Sequence, residues 1–141
     1  MLDNTQPKVL YTAKVHTDGD RDGGVSQSSD RRLDIKHSVP GTPGTGTNPE
    51  QLLAAGWSAC FQGAMGIAAR RMKVTIPSGT SIDAEIDLVL TGDAYSLAAR
   101  LNVKVPGLSP EVVRSLVESA HDTCPYSKAL KGSIPIALNV I

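Results

Sequence analysis

Residues 52–69 form a stretch of 18 residues without a charged side chain, and this stretch limits what the chain can fold into. Asn48 is a good N-cap, Pro49 fits the first helical position, and Glu50 suits the positive first turn. A helix is therefore predicted from there to about Lys73. Because it is apolar on nearly all sides, we expect it to be buried on most of them. Its length is close to that of a membrane span, but its many small residues and the absence of an aliphatic block favour a buried core helix.

The segments around this helix alternate between strand and helix signals. Stretches 81–90 and 95–105 have apolar residues at every second position around a Thr-Gly-Asp turn, which predicts a β-hairpin. A Ser-Pro-Glu start at 109 and apolar residues at helical spacing predict a second helix, which ends before Pro125 and is followed by a short helix at 126–132. Further strands are predicted at 8–16, 25–29, 31–39 and 134–141. The order is β-β-β-α-β-β-α-α-β, an α+β fold with N-terminal antiparallel strands, a long buried central helix, a hairpin, C-terminal helices and a final strand.

The bulk properties of the chain limit its function classes. A length of 141 residues suits one domain, 1–141. Fourteen basic residues balance fourteen acidic ones, and a net charge of zero argues against nucleic acid or an anionic membrane as the main partner. The N-terminal residues have no basic stretch followed by an apolar run, so we expect no signal peptide. The expected absence of a signal peptide, together with the presence of only two cysteines, points to the reducing cytoplasm and against a purely structural disulfide.

The possible metal motifs in the sequence are incomplete. The acidic segment 18–23 matches the first half of a calcium loop, but Ser29 stands where the bidentate carboxylate is needed. His121 and Cys124 have the spacing of half a zinc site, and no second half is present. We therefore expect an ordinary polar turn at 18–23 and no bound metal.

The two cysteines, Cys60 and Cys124, are the remaining candidates for chemistry. Intracellular cysteines are most often small buried hydrophobic residues, so inert thiols are one interpretation. A reactive pair is favoured by the place of Cys124 between two helices, where the N–H groups that begin the second helix favour its thiolate. Arg21 lies between two aspartates in a turn, and Glu50 marks the start of the helix that carries Cys60. A guanidinium suits a buried thiolate as a partner, and a carboxylate suits the guanidinium.

Three blocks of the sequence resemble the motifs of a known family. They are RDGG at 21–24, TNPEQLLAAGWSACF at 47–61 and AHDTCPYSKALKG at 120–132. In order and spacing they are similar to the organic hydroperoxide resistance proteins of the OsmC/Ohr family, and the resemblance covers almost the whole chain. Trp57 stands where such sequences usually have Tyr, and Leu53 stands where Phe is common. Both differences preserve apolar bulk.

The resemblance implies an OsmC/Ohr-like fold and a thiol-dependent peroxidase without metal, haem or other cofactor. Cys60 matches the peroxidatic cysteine and Cys124 the resolving cysteine, while Arg21 and Glu50 match the pair that activates the thiolate. By this resemblance, Cys60 reduces an alkyl or lipid hydroperoxide to an alcohol and becomes a sulfenic acid, which Cys124 converts to a disulfide. An external dithiol, usually on a lipoylated protein, reduces the disulfide. Members of the family form intertwined homodimers with active sites near the interface.

The spacing of Glu50 and Cys60 leads to a further expectation about assembly. The two residues are ten positions apart, which is about 15 Å of rise on a straight helix, and their side chains do not share a face. We therefore expect Arg21 and Glu50 to reach Cys60 from the other subunit of a homodimer. The same dimer gives the apolar helix a surface to pack against.

Two alternative functions remain open at the level of sequence. One is a non-catalytic role on the same scaffold, either redox sensing or small-ligand binding, which needs only one accessible thiol and a partner. The sequence has no basic patch, which argues against a sensor that acts directly on DNA. The other is a dimeric structural domain with inert cysteines. It predicts slow alkylation in mild acid and no response to peroxide.

Overall fold

The computed structural model describes residues 4–141, which contain six strands and three helices in the predicted order. The fold is α+β, as predicted. The residues group into two compact units, one ending at Pro49 and one beginning at Glu50, and each is described by itself. The prediction of a single domain, 1–141, stays a prediction.

The N-terminal unit contains a three-stranded antiparallel sheet in the order β1-β2-β3. Its strands are β1 (Val15–Asp18), β2 (Val25–Ser28) and β3 (Asp34–Lys36). The connection between β2 and β3 turns at Asp30, whose carboxylate accepts the backbone N–H of Arg32 at 3.0 Å. This Asx-type turn includes Arg31 at a φ of 63°. Because it extends to residue 33, β3 is shorter than the predicted strand 31–39.

The first strand is also shorter than predicted, and most of the segment 8–16 is not a strand. β1 begins at Val15, and residues 7–14 have no regular secondary structure. Val9, Leu10 and Tyr11 are 81%, 86% and 78% exposed. β-Propensity reflects packing against neighbouring strands and a buried face, and among residues 4–141 this segment has neither. The sequence pattern identified apolar residues correctly, but a single chain does not bury their side chains.

The central helix, α1 (Pro49–Met72), confirms the predicted start and end. Lys73 follows it with a φ of 57°, a left-handed conformation that stops the helix. Its buried positions recur at helical spacing along one face, and they are Trp57, Phe61, Ala64, Met65, Ala68 and Ala69. The other sides are half-buried or exposed in the single chain. Burial on most sides, which the composition predicted, is therefore only partly provided by this chain.

α1 is long and apolar enough to cross a membrane, and among residues 4–141 it is the one helix that meets this test of length and composition. A single such helix is weak evidence, because the core helix of a globular protein passes the same test. The large side chains of its buried face lie in the apolar core of the C-terminal unit. This arrangement matches the predicted core helix.

Two shorter helices follow the hairpin in the C-terminal unit. The first, α2 (Pro110–Thr123), has Ser109 as its N-cap, with the hydroxyl accepting the N–H of Val112 at 3.4 Å. It ends at Cys124, whose backbone is extended, and Pro125 then begins α3 (Pro125–Leu130). Because the residue before a proline avoids the helical region, the chain changes direction at this cysteine.

The second sheet has the order β4-β5-β6. β4 (Ser81–Thr91) and β5 (Ala94–Lys104) pair antiparallel along their full length and confirm the predicted hairpin. β6 (Ile136–Val140) lies parallel to β5, so α2 and α3 form a crossover between neighbouring strands. The main core of this unit combines buried side chains of α1, β5 and α2, including Trp57, Phe61, Met65, Leu101, Val103, Val113 and Val117.

Candidate active site

Cys60 lies in the middle of α1, at the edge of the helix face that enters the core. It is half-buried and packs against the main apolar cluster. Trp57, one turn earlier, and Phe61, the next residue, are both fully buried. The helix thus holds the Cys60 thiol between the apolar core and the surface of this chain.

Cys124 is fully buried at the junction of α2 and α3. It is the C-cap of the first helix and the N-cap of the second, with φ −62° and ψ 124°. The position between two helices is the one that the sequence predicted. Its side chain makes no capping hydrogen bond to α3, however. The thiol is therefore directed to another partner.

That partner is Cys60. The two thiols lie next to each other, and both are free in this structure. Burial raises the pKa of the Cys60 thiol, and the adjacent Cys124 thiol raises it further. The backbone N–H of Tyr126 donates to the Cys60 sulfur and lowers the pKa, but the net direction is upward. In this state Cys60 is favoured as the thiol.

The hydrogen-bond donor at the start of α3 serves Cys60, whereas the sequence assigned it to Cys124. Pro125 has no N–H, so Tyr126 provides the first amide donor of α3. This amide reaches the sulfur that α1 presents. The sequence placed Cys124 correctly at the helix start, but it could not show that a second sulfur would occupy the space in front of the amide.

A second layer of contacts lies one helical turn from the cysteines. The indole N–H of Trp57 donates to the hydroxyl of Ser127 at 3.0 Å, and both side chains are fully buried. Sequence analysis did not identify Ser127 or Tyr126 as site residues, and it treated Trp57 only as a variation in bulk. The available signal was spacing, because Trp57 precedes Cys60 by three residues and Ser127 follows Cys124 by three.

His121 lies on α2, one turn before Cys124. Its ring packs against Phe61, with the ring centroids 6.4 Å apart. Burial lowers the pKa of His121, Lys131 lowers it further, and Asp122 opposes them. These effects leave His121 neutral at neutral pH.

Glu50 lies in the first turn of α1 and is half-buried. Because α1 is continuous from Pro49 to Met72, Glu50 and Cys60 are separated by about 15 Å of helix rise, as the sequence predicted. Within one copy of the helix, the structure does not bring this carboxylate to the Cys60 sulfur.

Arg21 belongs to the N-terminal unit, in the turn between β1 and β2, where it is half-buried. The carboxylate of Asp20 accepts the N–H of Asp22 at 2.8 Å, and the Asp20 carbonyl accepts the N–H of Gly24 at 2.9 Å. A Cβ on Gly24 would lie 2.3 Å from that carbonyl oxygen, and Gly23 has a φ of +88°. The local geometry around Arg21 therefore requires both glycines.

Metal chemistry has no visible basis in residues 4–141, where no three His, Cys, Asp or Glu side chains are grouped so that they could hold an ion. The acidic segment 18–23 forms the end of β1 and the turn that follows it. It is flanked by strands, as expected from the sequence, whereas a calcium loop of the EF-hand type is flanked by helices.

Comparison with known proteins gives consistent similarities. The family model described as OsmC-like protein matches residues 41–139. The organic hydroperoxide resistance protein of Xanthomonas axonopodis pv. citri (strain 306) is 42% identical over 137 residues, which cover 94% of this chain and 96% of that protein. The organic hydroperoxide resistance protein OhrA of Bacillus subtilis (strain 168) is 41% identical over 138 residues, with coverages of 93% and 96%.

A solved structure agrees with these sequence similarities. The crystal structure of the organic hydroperoxide resistance protein OhrB of Bacillus subtilis has a TM-score of 0.88 to this chain at 36% identity. The match covers 94% of this chain and 100% of that one, so it includes residues of both compact units. The predicted fold is confirmed at this level.

Proposed function

This chain belongs to the organic hydroperoxide resistance proteins of the OsmC-like family, and we propose that it is a thiol-dependent peroxidase that reduces organic hydroperoxides to alcohols. The observation that carries the proposal is the position of the Cys60 and Cys124 side chains next to each other in the same apolar cluster. A peroxidase that resolves its oxidised cysteine internally needs two sulfurs close enough to form a disulfide. The peroxidase role accounts for resistance to organic hydroperoxides.

The first step is oxidation of Cys60 by the substrate. The Cys60 thiolate attacks one peroxide oxygen, so that an S–O bond forms as the O–O bond breaks. The alkoxide leaves with the bonding electron pair and takes up a proton to become the alcohol. Cys60 loses two electrons and becomes a sulfenic acid. The apolar side chains beside Cys60 favour alkyl and lipid hydroperoxides over hydrogen peroxide.

The second step joins the two cysteines. The Cys124 sulfur attacks the sulfur of the Cys60 sulfenic acid, and hydroxide leaves with the proton of the Cys124 thiol as water. The disulfide then accepts two electrons from an external dithiol. We propose the dihydrolipoyl group of a lipoylated protein as this reductant and the cytoplasm as the location, with no resident cofactor.

Because the pKa of Cys60 is raised, the rest of the site has to stabilise the Cys60 thiolate. Burial favours the thiol, whereas the reaction needs the thiolate. We assign to Arg21 the role of stabilising the thiolate and binding the peroxide oxygen, and to Glu50 the role of orienting the guanidinium. The amide of Tyr126 acts in the same direction as Arg21.

The assembly that supports this chemistry is a homodimer, in which Arg21 and Glu50 of one protomer serve Cys60 of the other. Glu50 and Cys60 are separated by about 15 Å of helix rise, which supports the exchange of Glu50 between protomers. The apolar surfaces that one chain leaves exposed also support a homodimer. Leu10 and Tyr11 are 86% and 78% exposed, and Leu90 and Tyr95 at the tip of the hairpin are 57% and 71% exposed. A second copy gives these side chains a surface to pack against.

A coupled assay tests the proposed activity. The protein is mixed with an organic hydroperoxide, dihydrolipoamide and its NADH-dependent recycling enzyme, and the loss of NADH is followed. We expect continuous turnover that disappears in Cys60→Ser. Cys124→Ser is expected to accumulate a sulfenic acid or an over-oxidised Cys60, visible by mass spectrometry.

Other outcomes distinguish the remaining functions. A single oxidation without recycling would indicate a redox sensor. No reaction of Cys60 with peroxide would indicate a binding or structural protein and would reject the peroxidase. Mixing Arg21→Ala with Cys60→Ser tests the dimer, because a mixed dimer regains one complete site only if Arg21 acts across the interface.

A further inference from the structure

The segment that carries Cys124 is attached to α1 by a buried polar contact outside the reacting pair. The Trp57 indole N–H donates to Ser127 Oγ at 3.0 Å, and neither side chain has exposed surface. Most of the surrounding core consists of apolar side chains, which pack without directional preference. A hydrogen bond differs from them because it weakens steeply when its distance or angle changes.

The contacts between α1 and residues 124–127 follow one consistent geometry. Cys60 meets Cys124, while Trp57, one turn nearer the start of α1, meets Ser127. Gly56 lies under the Tyr126 side chain, whose hydroxyl is 2.8 Å from the position of a Cβ on that glycine. Gly56 and Trp57 therefore meet the part of the segment after Pro125, whereas Cys60, one turn later, meets the residue before it. The segment is thus fixed to α1 at two points about one turn apart, and the sulfur contact is one of them.

Formation of a disulfide places a strict requirement on this attachment. The sulfurs have to move from non-bonded contact to about 2.05 Å, with a narrow range of torsion about the S–S bond. Cys124 lies at a chain reversal between two helices, where a small rotation of α3 changes the direction of its thiol. The Trp57–Ser127 bond limits that rotation, because Ser127 belongs to α3, the short helix that Cys124 caps.

We propose that Trp57 and Ser127 are positioning residues that hold Cys124 opposite Cys60 for disulfide formation. The inference rests on the proposed peroxidase function. Neither residue supplies an atom to the reaction, and their effect is on the step that joins the two sulfurs. The first step, oxidation of Cys60 by peroxide, depends on them only through the position of the Tyr126 amide.

Three variants isolate the hydrogen bond. Trp57→Phe keeps an aromatic ring and removes the donor, Ser127→Ala removes the acceptor, and the double variant removes both. Leu116→Ala is the matched control, since Leu116 is fully buried in a separate cluster with Ala68 and Ala69 of α1. It loosens packing on α1 without touching the Trp57–Ser127 contact.

The first readout is the dithiol–disulfide equilibrium of the Cys60–Cys124 pair in glutathione buffers, which requires no peroxide. Because the bond already exists in the dithiol state, only the part of it that strengthens in the disulfide affects this equilibrium, and we expect each single variant to lower the disulfide formation constant by less than about ten-fold. The double variant should lose little more than either single one, because all three lack the same bond. Leu116→Ala should lower the thermal midpoint and leave the formation constant unchanged.

The second readout separates the two chemical steps after one equivalent of organic hydroperoxide. Sulfenic acid formation should slow less than disulfide formation in Trp57→Phe and Ser127→Ala, because only the Tyr126 amide links these residues to the first step. Disulfide formation should slow about ten-fold, and sulfinic acid should increase. Wild-type rates of disulfide formation in both variants would overturn the inference, as would an equal slowing in Leu116→Ala. A wild-type protein that forms the disulfide in glutathione but does not react with the hydroperoxide would instead reject the proposed function.

Discussion

The two compact units of this protein are stabilised by different interactions. In the N-terminal unit, among residues 4–49, the buried residues are Gly24, Ser26 and His37, none of which has a large apolar side chain. In the C-terminal unit, aromatic and aliphatic side chains from α1, β5 and α2 form the main buried cluster. The turn that carries Arg21 is therefore held by hydrogen bonds, whereas the cysteine pair is held mainly by packing.

A continuous set of hydrogen bonds supports the Arg21 turn. His37 joins it through its backbone, which accepts the N–H of Gly23 at 3.1 Å and donates to the carbonyl of Gly24 at 2.8 Å. The ring Nε2 of His37 is bonded to the Ser26 hydroxyl at 2.8 Å, and that hydroxyl is bonded to Thr17 at 2.8 Å. Changes in the two units should therefore have different consequences, as the following variants test.

The largest expected loss of stability comes from the apolar core. Leu101 is fully buried on β5, and Leu101→Ala should lower the free energy of unfolding by about 2–5 kcal/mol, because it removes apolar contacts and leaves a cavity. The measurement is urea denaturation followed by circular dichroism. Ile35→Ala on β3, which is only half-buried, should cost about 1 kcal/mol. Equal losses at the two positions would contradict the distinction between the units.

Gly24→Ala is expected to produce the next largest loss, and it acts on the hydrogen-bonded unit. A Cβ at this position would lie 2.3 Å from the Asp20 carbonyl oxygen, so the backbone has to move. We expect a loss of about 1–3 kcal/mol, the range for overpacking, with altered amide signals around the turn. The control is Gly23→Ala, which has a positive φ but no atom within 4 Å of its Cβ position. If both variants cost the same, backbone strain and not close approach determines the turn.

Ser26→Ala tests the side-chain hydrogen bonds of the same unit. It leaves the buried Nε2 of His37 without its partner, and His37 Nδ1 already has no hydrogen-bond partner among the described residues. We expect a loss of about 1–2 kcal/mol and faster exchange of the His37 amide proton. Thr17→Val breaks only the bond at the exposed end and should have a smaller effect. Unchanged exchange in Ser26→Ala would show that the backbone bonds alone hold the turn.

Local rules predicted much of this fold because the relevant signals were local. Ser109 and Pro110 at the start of α2, the alternation in β4 and β5, and the extended residue before Pro125 all follow from neighbouring residues. The strand prediction for segment 8–16 was mostly wrong, because strand formation depends on a neighbouring strand that the composition of the segment does not provide. The parallel pairing of β6 with β5 was not predicted for the same reason, since a sequence does not state which sheet edge a final strand joins.

The candidate site shows the same limit. Motif resemblance identified Cys60 and Cys124, and the structure brings their side chains together. The donor from Tyr126 to Cys60 and the bond between Trp57 and Ser127 connect residues far apart in sequence. Their geometry exists only after α3 packs on α1. Trp57 and Ser127 each lie three residues from a cysteine in the sequence, but only the fold shows that their side chains meet.

The smallest expected effect comes from a histidine in the apolar unit. His121 packs its ring on Phe61, whereas the ring of His37 is bonded to Ser26. Like that of His37, the buried Nδ1 of His121 has no hydrogen-bond partner within the described part of the chain. Burial and then Lys131 lower the pKa of His121 below its ordinary value of 6.5, against the opposing effect of Asp122. The unfolded chain therefore binds a proton at His121 more readily than the folded chain.

Because this histidine has the lower pKa in the folded state, its contribution to stability is complete above pH 6.5 and decreases as the pH falls towards the folded pKa. Urea midpoints measured from neutral pH down to about pH 5 should show this decrease, since acidic groups with lowered pKa titrate below that range. His121→Leu should reduce the slope. Lys131→Met should reduce it partly, because it removes a cation and releases Asp122 from its 2.8 Å ion pair. A slope that His121→Leu leaves unchanged would assign the pH dependence to another group and remove this contrast between the two histidines.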